Sequence, residues 1–385
     1  MSSSLPHTGM ASSLPRRHFM QSLVAGAAGA VALGLPAVAS AASDASQAAA
    51  PHRGTAPELR GNSFDLFISA ATVNVTGKAI QATLINGSLP APTLRWREGE
   101  EVTIRVHNQL AEDSSIHWHG ILLPYQMDGV PGVSFAGIKP GETFTYRFKV
   151  QQHGTYWYHS HSAMQELTGM YGAVIIDPAD DSQRQRADRD LVVQLSDWSD
   201  TDPMRIMMNL RKLGGYYNQS QPTALRFAQD VRRYGLKTAS DMRQMWNQMR
   251  MSPTDLSDVS SMALTYLLNG LSSDQPWTGL FQRGETVLLR LINAAGHTFY
   301  DVRIPGLKLQ VIASDGQPVE PVSVDELRMG PGETYDVLVK PSDDAHTIFA
   351  QSMDRTGYAC GTLATRAGLR APVPVLDPVE WLSMT

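Results

Sequence analysis

From Phe64 onward, apolar and polar residues alternate in short runs separated by Gly, Pro and Asn. The segments "EVTIRVHNQ" (101–109) and "ETFTYRFKV" (142–150) keep an apolar residue at every second position, the period of a half-buried strand. The body of the chain therefore reads as mainly β. The runs also recur. "INGSLPAP" (85–92) is echoed by "LNGLSSDQP" (268–276), "EGEEVTIRVHN" (98–108) by "RGETVLLRLIN" (283–293), and "KPGETFTYRFKV" (139–150) by "GPGETYDVLVKP" (330–341). The order and offsets hold, so we expect two copies of one β-sandwich, at 64–180 and 185–366.

Inside the second copy the period changes. Met204, Met207 and Met208 fall at i, i+3, i+4, and Met242, Met245 and Met249 at i, i+3, i+7, so a helical insertion is expected at about 202–261. Two uses of these thioethers stay open: flexible apolar filler under a helical cap, or soft sulfur ligands for Cu(I).

Both ends read as something other than sandwich. "LPRRHFMQS" (14–22) leads into an uncharged run to Leu35 and then "PAVAS" (36–40), which predicts a cleaved leader over 1–41 and a linker over 42–63. The twin arginines resemble a Tat signal, with a plain secretory leader as the alternative. The run is short and rich in Ala and Gly, so no membrane span is expected after cleavage and the periplasm is the expected location. At the other end, 367–385 is expected to be a linker.

Charge and cysteine narrow the chemistry. The formal charge of −5 becomes more negative without Arg16 and Arg17, and no basic run exists, which excludes nucleic acid as a natural partner. Cys360 is the single cysteine, so neither a disulfide framework nor a thiolate cluster is available. Metal chemistry here has to rest on histidine.

"IHWHG" (116–120) and "GTYWYHSH" (154–161) each place two histidines one residue apart. On a strand, positions i and i+2 face the same side, so His117 with His119, and His159 with His161, project as pairs. Neutral imidazoles in such a set suit Zn, Cu, Fe or Ni. The second copy does not repeat them: "HTIFAQSM" (346–353) carries Gln351 and Met353 where the first has His159 and His161, and "HTFYDV" (297–302) offers His297 alone. His107 and His153 have no paired partner and are not expected to bind metal.

"IHWHGILLPYQMDGVPGVS" (116–134), "KPGETFTYRFKVQQHGTYWYHSH" (139–161) and "GMYGAVIIDP" (169–178) resemble the first cupredoxin domain of multicopper oxidases. "RADRDLVVQLSDWSD" (186–200), "MSPTDLSDVS" (251–260) and the methionine-bearing insertion are similar to the periplasmic copper-resistance oxidases of the CopA type. The resemblance implies tandem cupredoxin-like Greek-key sandwiches and copper as cofactor. It assigns His117 to a type 2 copper, His119, His159 and His161 to a type 3 pair, and a proton-moving role near the type 2 copper to Asp128. By residue alone, Asp128 is equally a turn residue before Gly129. The resemblance also implies that a third cupredoxin domain supplies the other ligands and the type 1 copper; Cys360 lacks a His-Cys-His context and reads as a bystander.

Three functions follow. The first is an oxidase that couples oxidation of Cu(I) or phenols to reduction of dioxygen, with this chain carrying half the cluster ligands and inactive by itself. The second is a periplasmic protein that sequesters copper without catalysis. The third, a non-catalytic interaction protein on the same fold, fits poorly because such proteins dispense with the copper histidines.

Overall fold

A computed structural model describes residues 50–183, 187–219, 223–249 and 257–379. The expected leader lies outside the described residues, as do 251–256 of one resemblance motif.

The first half of the chain forms β1 (His52–Arg53), β2 (Glu58–Arg60), β3 (Ser63–Asn74), β4 (Ala79–Ile85), β5 (Ser88–Leu89), β6 (Ala91–Arg97), β7 (Glu101–Asn108), β8 (His117–His119), β9 (Thr143–Lys149), β10 (Gly154–His159) and β11 (Tyr171–Asp177). They make a six-stranded sheet ordered β1-β5-β4-β3-β7-β9 and a five-stranded sheet ordered β2-β6-β11-β10-β8. The inward half of the alternation meets between them: Leu66, Ile68, Ile104 and Val106 from one sheet, Trp96, Trp118, Tyr156 and Tyr158 from the other. A fully buried side chain of this kind contributes about 1.5–3 kcal/mol. A one-residue slip of β8 would expose Trp118 and bury its two histidines, so the register is strongly set.

The second half repeats the plan with β12 (Arg189–Trp198), α1 (Pro203–Lys212), α2 (Ala224–Tyr234), α3 (Leu236–Met249), β13 (Thr265–Leu268), β14 (Leu271–Ser272), β15 (Trp277–Leu280), β16 (Val287–Asn293), β17 (Tyr300–Arg303), β18 (Leu309–Ser314), β19 (Gln317–Val324), β20 (Glu326–Met329), β21 (Thr334–Val339), β22 (Ala345–Ser352) and β23 (Tyr358–Ala364). The sheets are β14-β13-β12-β16-β21-β18-β19 and β15-β23-β22-β17-β20. The pairing matches the first copy: β3 runs antiparallel to β4 and parallel to β7, as β12 does to β13 and β16. The echoed Asn-Gly pairs make the same turn. Asn86 and Gly87 (φ 50°, 66°) and Asn269 and Gly270 (φ 49°, 71°) take the two left-handed conformations of a type I′ hairpin. Each Asn side chain then accepts a backbone N–H from the neighbouring strand, Phe67 at 2.7 Å and Gln194 at 2.8 Å.

The insertion is helical and sits between β12 and β13, where the first copy needs only a short turn. Asp202 and Thr223 cap α1 and α2 by accepting the N–H of Met204 and Arg226. Ile206 joins the core of the second sandwich. Met204 and Met208 are exposed, while Met207, Met242 and Met245 are half-buried. Among the described residues no helix is long and apolar enough to cross a membrane.

Both expected linkers carry structure. Within 42–63, β1 pairs with β5 and β2 with β6, because backbone groups beside a sheet edge gain ladder hydrogen bonds whatever their side chains. Of 367–385, the described part lies on the second sandwich: Pro372 accepts a bond from Thr347, and Asp377 bonds to Gln351.

The two sandwiches share a core of Leu84, Leu89, Trp157 and Tyr171 with Trp198, Leu267 and Ile292. Polar pairs reinforce it. Thr155 donates to Asp336 at 2.5 Å, Trp157 donates to the Gly332 carbonyl at 3.2 Å, and Arg290 bridges Asp190, Asp336 and Thr155.

Candidate metal centre

β8 is the last strand of its sheet and pairs antiparallel with β10, setting His117 opposite His159, Trp118 opposite Tyr158 and His119 opposite Trp157. Trp118 and Tyr158 point into the core, so the histidines must point to the other face. His161 follows just beyond β10. Four rings result in one neighbourhood: centroids of His117 lie 5.6, 5.5 and 4.8 Å from those of His119, His159 and His161, and His159 lies 4.9 Å from His161. Nitrogens of His117, His119 and His159 all fall within 4.8 Å of one another.

Each ring is oriented differently. His117 donates from Nδ1 to the backbone carbonyl of Asp128 at 2.8 Å; a carbonyl can only accept, so Nε2 carries the free lone pair. The turn that brings this carbonyl depends on Gly129, at φ 81°, where a Cβ would lie 1.8 Å from the Ile116 carbonyl oxygen. No other residue allows so close an approach. His119 turns Nδ1 toward His159 Nε2 at 3.3 Å, and its other edge faces Gly332 of the second sandwich. His159 stacks on Trp157 at 4.0 Å between centroids, and His119 stacks on the same indole at 4.8 Å. The His161 loop is tied down by Ser115, which accepts from His161 N and from the Ser162 hydroxyl.

The electrostatics of three of the rings favour the neutral form. Burial, and then the neighbouring rings, lower His119 from 6.5 to about 4. Burial also lowers His161, with His159 and His117 adding to it, and lowers His117 against the opposing pull of Asp128. A neutral imidazole is the form that binds a metal. The His159 Nδ1 is buried without a hydrogen bond of good geometry. Convergent neutral nitrogens of this kind fit copper or another imidazole-preferring transition metal.

Asp128 ends a 3-10 turn, so the turn reading is correct as far as it goes, yet its carbonyl also steers His117 and its carboxylate sits 3.6 Å from His117 Nδ1. The other histidines are engaged elsewhere: His107 with Thr143 and Asp65, His153 with Glu98, His297 with Ser257. Cys360 is buried on β23 opposite Phe349, and burial raises its thiol pKa.

The second sandwich holds a surprise at the matching edge. Its ladder sets Asp301 opposite Gln351 and Arg303 opposite Phe349, so Asp301 and Arg303 occupy the places of His117 and His119. His297 precedes this strand and is not the counterpart. The sequence alone, searched for histidine, does not mark this pair, because the correspondence exists only through the register of β17 on β22. Nor does it mark Gln165, a buried hub that accepts from Ser114 and Ser160 and donates to Glu112 and the Asp113 carbonyl, or Glu166 beside it.

Two family models, each described as multicopper oxidase, match residues 68–181 and 237–369. Copper resistance protein A of Escherichia coli is 55% identical over 86% of this chain and 54% of its own length. A copper resistance protein A homolog of Pseudomonas syringae pv. tomato is 54% identical over 87% and 57% respectively. The chain thus spans about half the length of the curated relatives it matches. Among solved structures, Fet3p, a multicopper oxidase that functions in iron import, superposes with a TM-score of 0.64 at 24% identity, covering 84% of this chain and 56% of that one, and shows the cupredoxin-like fold.

Proposed function

This chain belongs to the multicopper oxidase family, and on that premise we propose that His117, His119, His159 and His161 hold copper for a copper-resistance oxidase that couples oxidation of Cu(I) or a phenol to reduction of dioxygen. The observation that carries this reading is the meeting of imidazole nitrogens from two neighbouring strands within 4.8 Å. Copper, when bound, supplies one-electron and dioxygen chemistry that no side chain offers.

The chain's own residues do the positioning. His117 is assigned to the type 2 copper and presents Nε2, because the Asp128 carbonyl holds its Nδ1–H. His119, His159 and His161 are assigned to the type 3 pair. Burial favours the neutral form of His119 and His161 and so keeps their lone pairs available, and the stack of His119 and His159 on Trp157 limits their rotation. The Asp128 carboxylate, partly exposed beside His117, is placed to take up and release protons as dioxygen is reduced. The other cluster ligands and the type 1 site are assigned to a third cupredoxin module, in keeping with relatives nearly twice as long as the matched region. Export to the periplasm by the Tat route accords with the twin-arginine leader and with relatives named for copper resistance.

The test is copper affinity of the purified chain, read by competition with a chromophoric chelator. Replacing His117 and His119 by alanine should weaken binding at least about 100-fold, since even a supporting partner of a metal ligand is worth 10–100-fold. Unchanged affinity would place the ligands elsewhere and sink the reading.

A further inference from the structure

We infer that Glu166 is a positioning residue of this cluster: its carboxylate takes the Nδ1–H of His159 and so fixes the tautomer that presents Nε2 to copper. The inference rests on the copper reading above.

His159 is the most enclosed of the four, with a side chain 7% exposed. Its Nε2 faces the place where the rings meet, 3.3 Å from His119 Nδ1. Its Nδ1 points away from that place and is buried without a well-aligned partner. Glu166 Oε2 stands 3.3 Å from it but off the hydrogen-bonding direction. A small rotation of either side chain completes the bond. Among the described residues, the Glu166 carboxylate has no ion-pair partner other than His159.

The backbone beneath Glu166 is well anchored. It begins the 3-10 turn Glu166–Thr168, which closes on Gly169 in a left-handed conformation. The preceding residue, Gln165, is buried and hydrogen-bonded to Ser114, Ser160, Glu112 and Asp113. The carboxylate is therefore delivered to His159 by a rigid loop rather than by a wandering side chain.

A carboxylate does more than the neutral carbonyl that holds His117. It raises the basicity of the opposite ring nitrogen, which strengthens that nitrogen as a ligand.

The experiment uses the full chain labelled with 15N-histidine, wild type and two variants, Glu166→Ala and Glu166→Gln. Long-range 1H–15N correlations on the metal-free protein should show His159 as the Nδ1–H tautomer in wild type and in Glu166→Gln, which keeps an acceptor oxygen. Glu166→Ala should lose that preference. Copper affinity by chelator competition should fall about 10–100-fold in Glu166→Ala and by less in Glu166→Gln. If Glu166→Ala keeps the tautomer and the affinity while His159→Ala weakens copper binding, the positioning role is overturned. If His159→Ala leaves copper binding unchanged, the copper reading itself fails.

Discussion

The same strand ladder is built twice in this molecule, with opposite results. In the first sandwich the edge strand β8 beside β10 carries His117 and His119, and no described strand pairs with its outer side. In the second, β17 beside β22 carries Asp301 and Arg303, and β20 covers its outer side. There the charges are fully engaged: Asp301 meets Arg328 and Arg355, while Arg303 meets Glu326 and Asp377 and lies over the Phe349 ring. Gln351, in the place of His159, exchanges two bonds with the backbone of Asp377. One edge leaves its nitrogens available to a ligand; the other uses its polar groups to fasten the chain that follows. The fold supplies only the projection of i and i+2, and the residue choice decides whether an edge binds or closes.

The largest effect should come from attacking the closed edge. Asp301→Ala removes a buried acid and strands Arg355, whose side chain is only 10% exposed. Removing one partner of a buried pair costs about 3–5 kcal/mol, and the exposed Arg328 brings the expectation to about 3 kcal/mol. His119→Ala strands no charge and should stay within about 1 kcal/mol. Urea midpoints of the metal-free variants check the contrast. Equal losses would show that both edges are structural in the same sense.

A smaller, graded effect separates the edges by acidity. His119 titrates near 4 in the fold against an ordinary 6.5, so the folded state resists its protonation. The stability this provides is complete above 6.5 and is lost as pH falls toward 4. Asp301 runs the other way in cause: burial alone would raise it, but Arg328 and Arg355 hold it below 3.8. Its contribution is complete above that value and is lost only as pH falls further. Each group changes stability by no more than about 1.4 kcal/mol per pH unit. The metal-free protein should therefore weaken in two steps, and His119→Ala should reduce the upper one. A single loss confined below pH 4 would contradict the burial of the imidazoles.

Much of this was readable before the structure. The alternation in "HWH" and "WYHSH" dictates that Trp118 and Tyr158 go inward and the histidines outward, and the echoed Asn-Gly turns locate the second copy. What escaped depends on contacts distant in sequence. Asp301 and Arg303 become counterparts of histidines only through pairing with β22, and no local signal marks an Asp as the replacement of an imidazole. Glu166 reaches His159 because a 3-10 turn folds it back, and a single acidic residue seven positions along carries no periodic signature. The parallel pairings of β1 and β2 are likewise invisible in so few residues.

The finest test asks which atoms hold the open edge. His117 is oriented by the main-chain carbonyl of Asp128 at 2.8 Å, whereas the carboxylate stands 3.6 Å away, beyond hydrogen-bond reach. Asp128→Asn keeps the carbonyl and nearly the same shape. Copper affinity should then change by less than about 3-fold, against the 10–100-fold expected if the side-chain charge were the supporting partner. On the closed edge the equivalent change, Asp301→Asn, removes a charge that two arginines need, and its effect on stability should be plain. A large affinity loss in Asp128→Asn would mean that both edges are held by side-chain charge and that they differ only in what they hold.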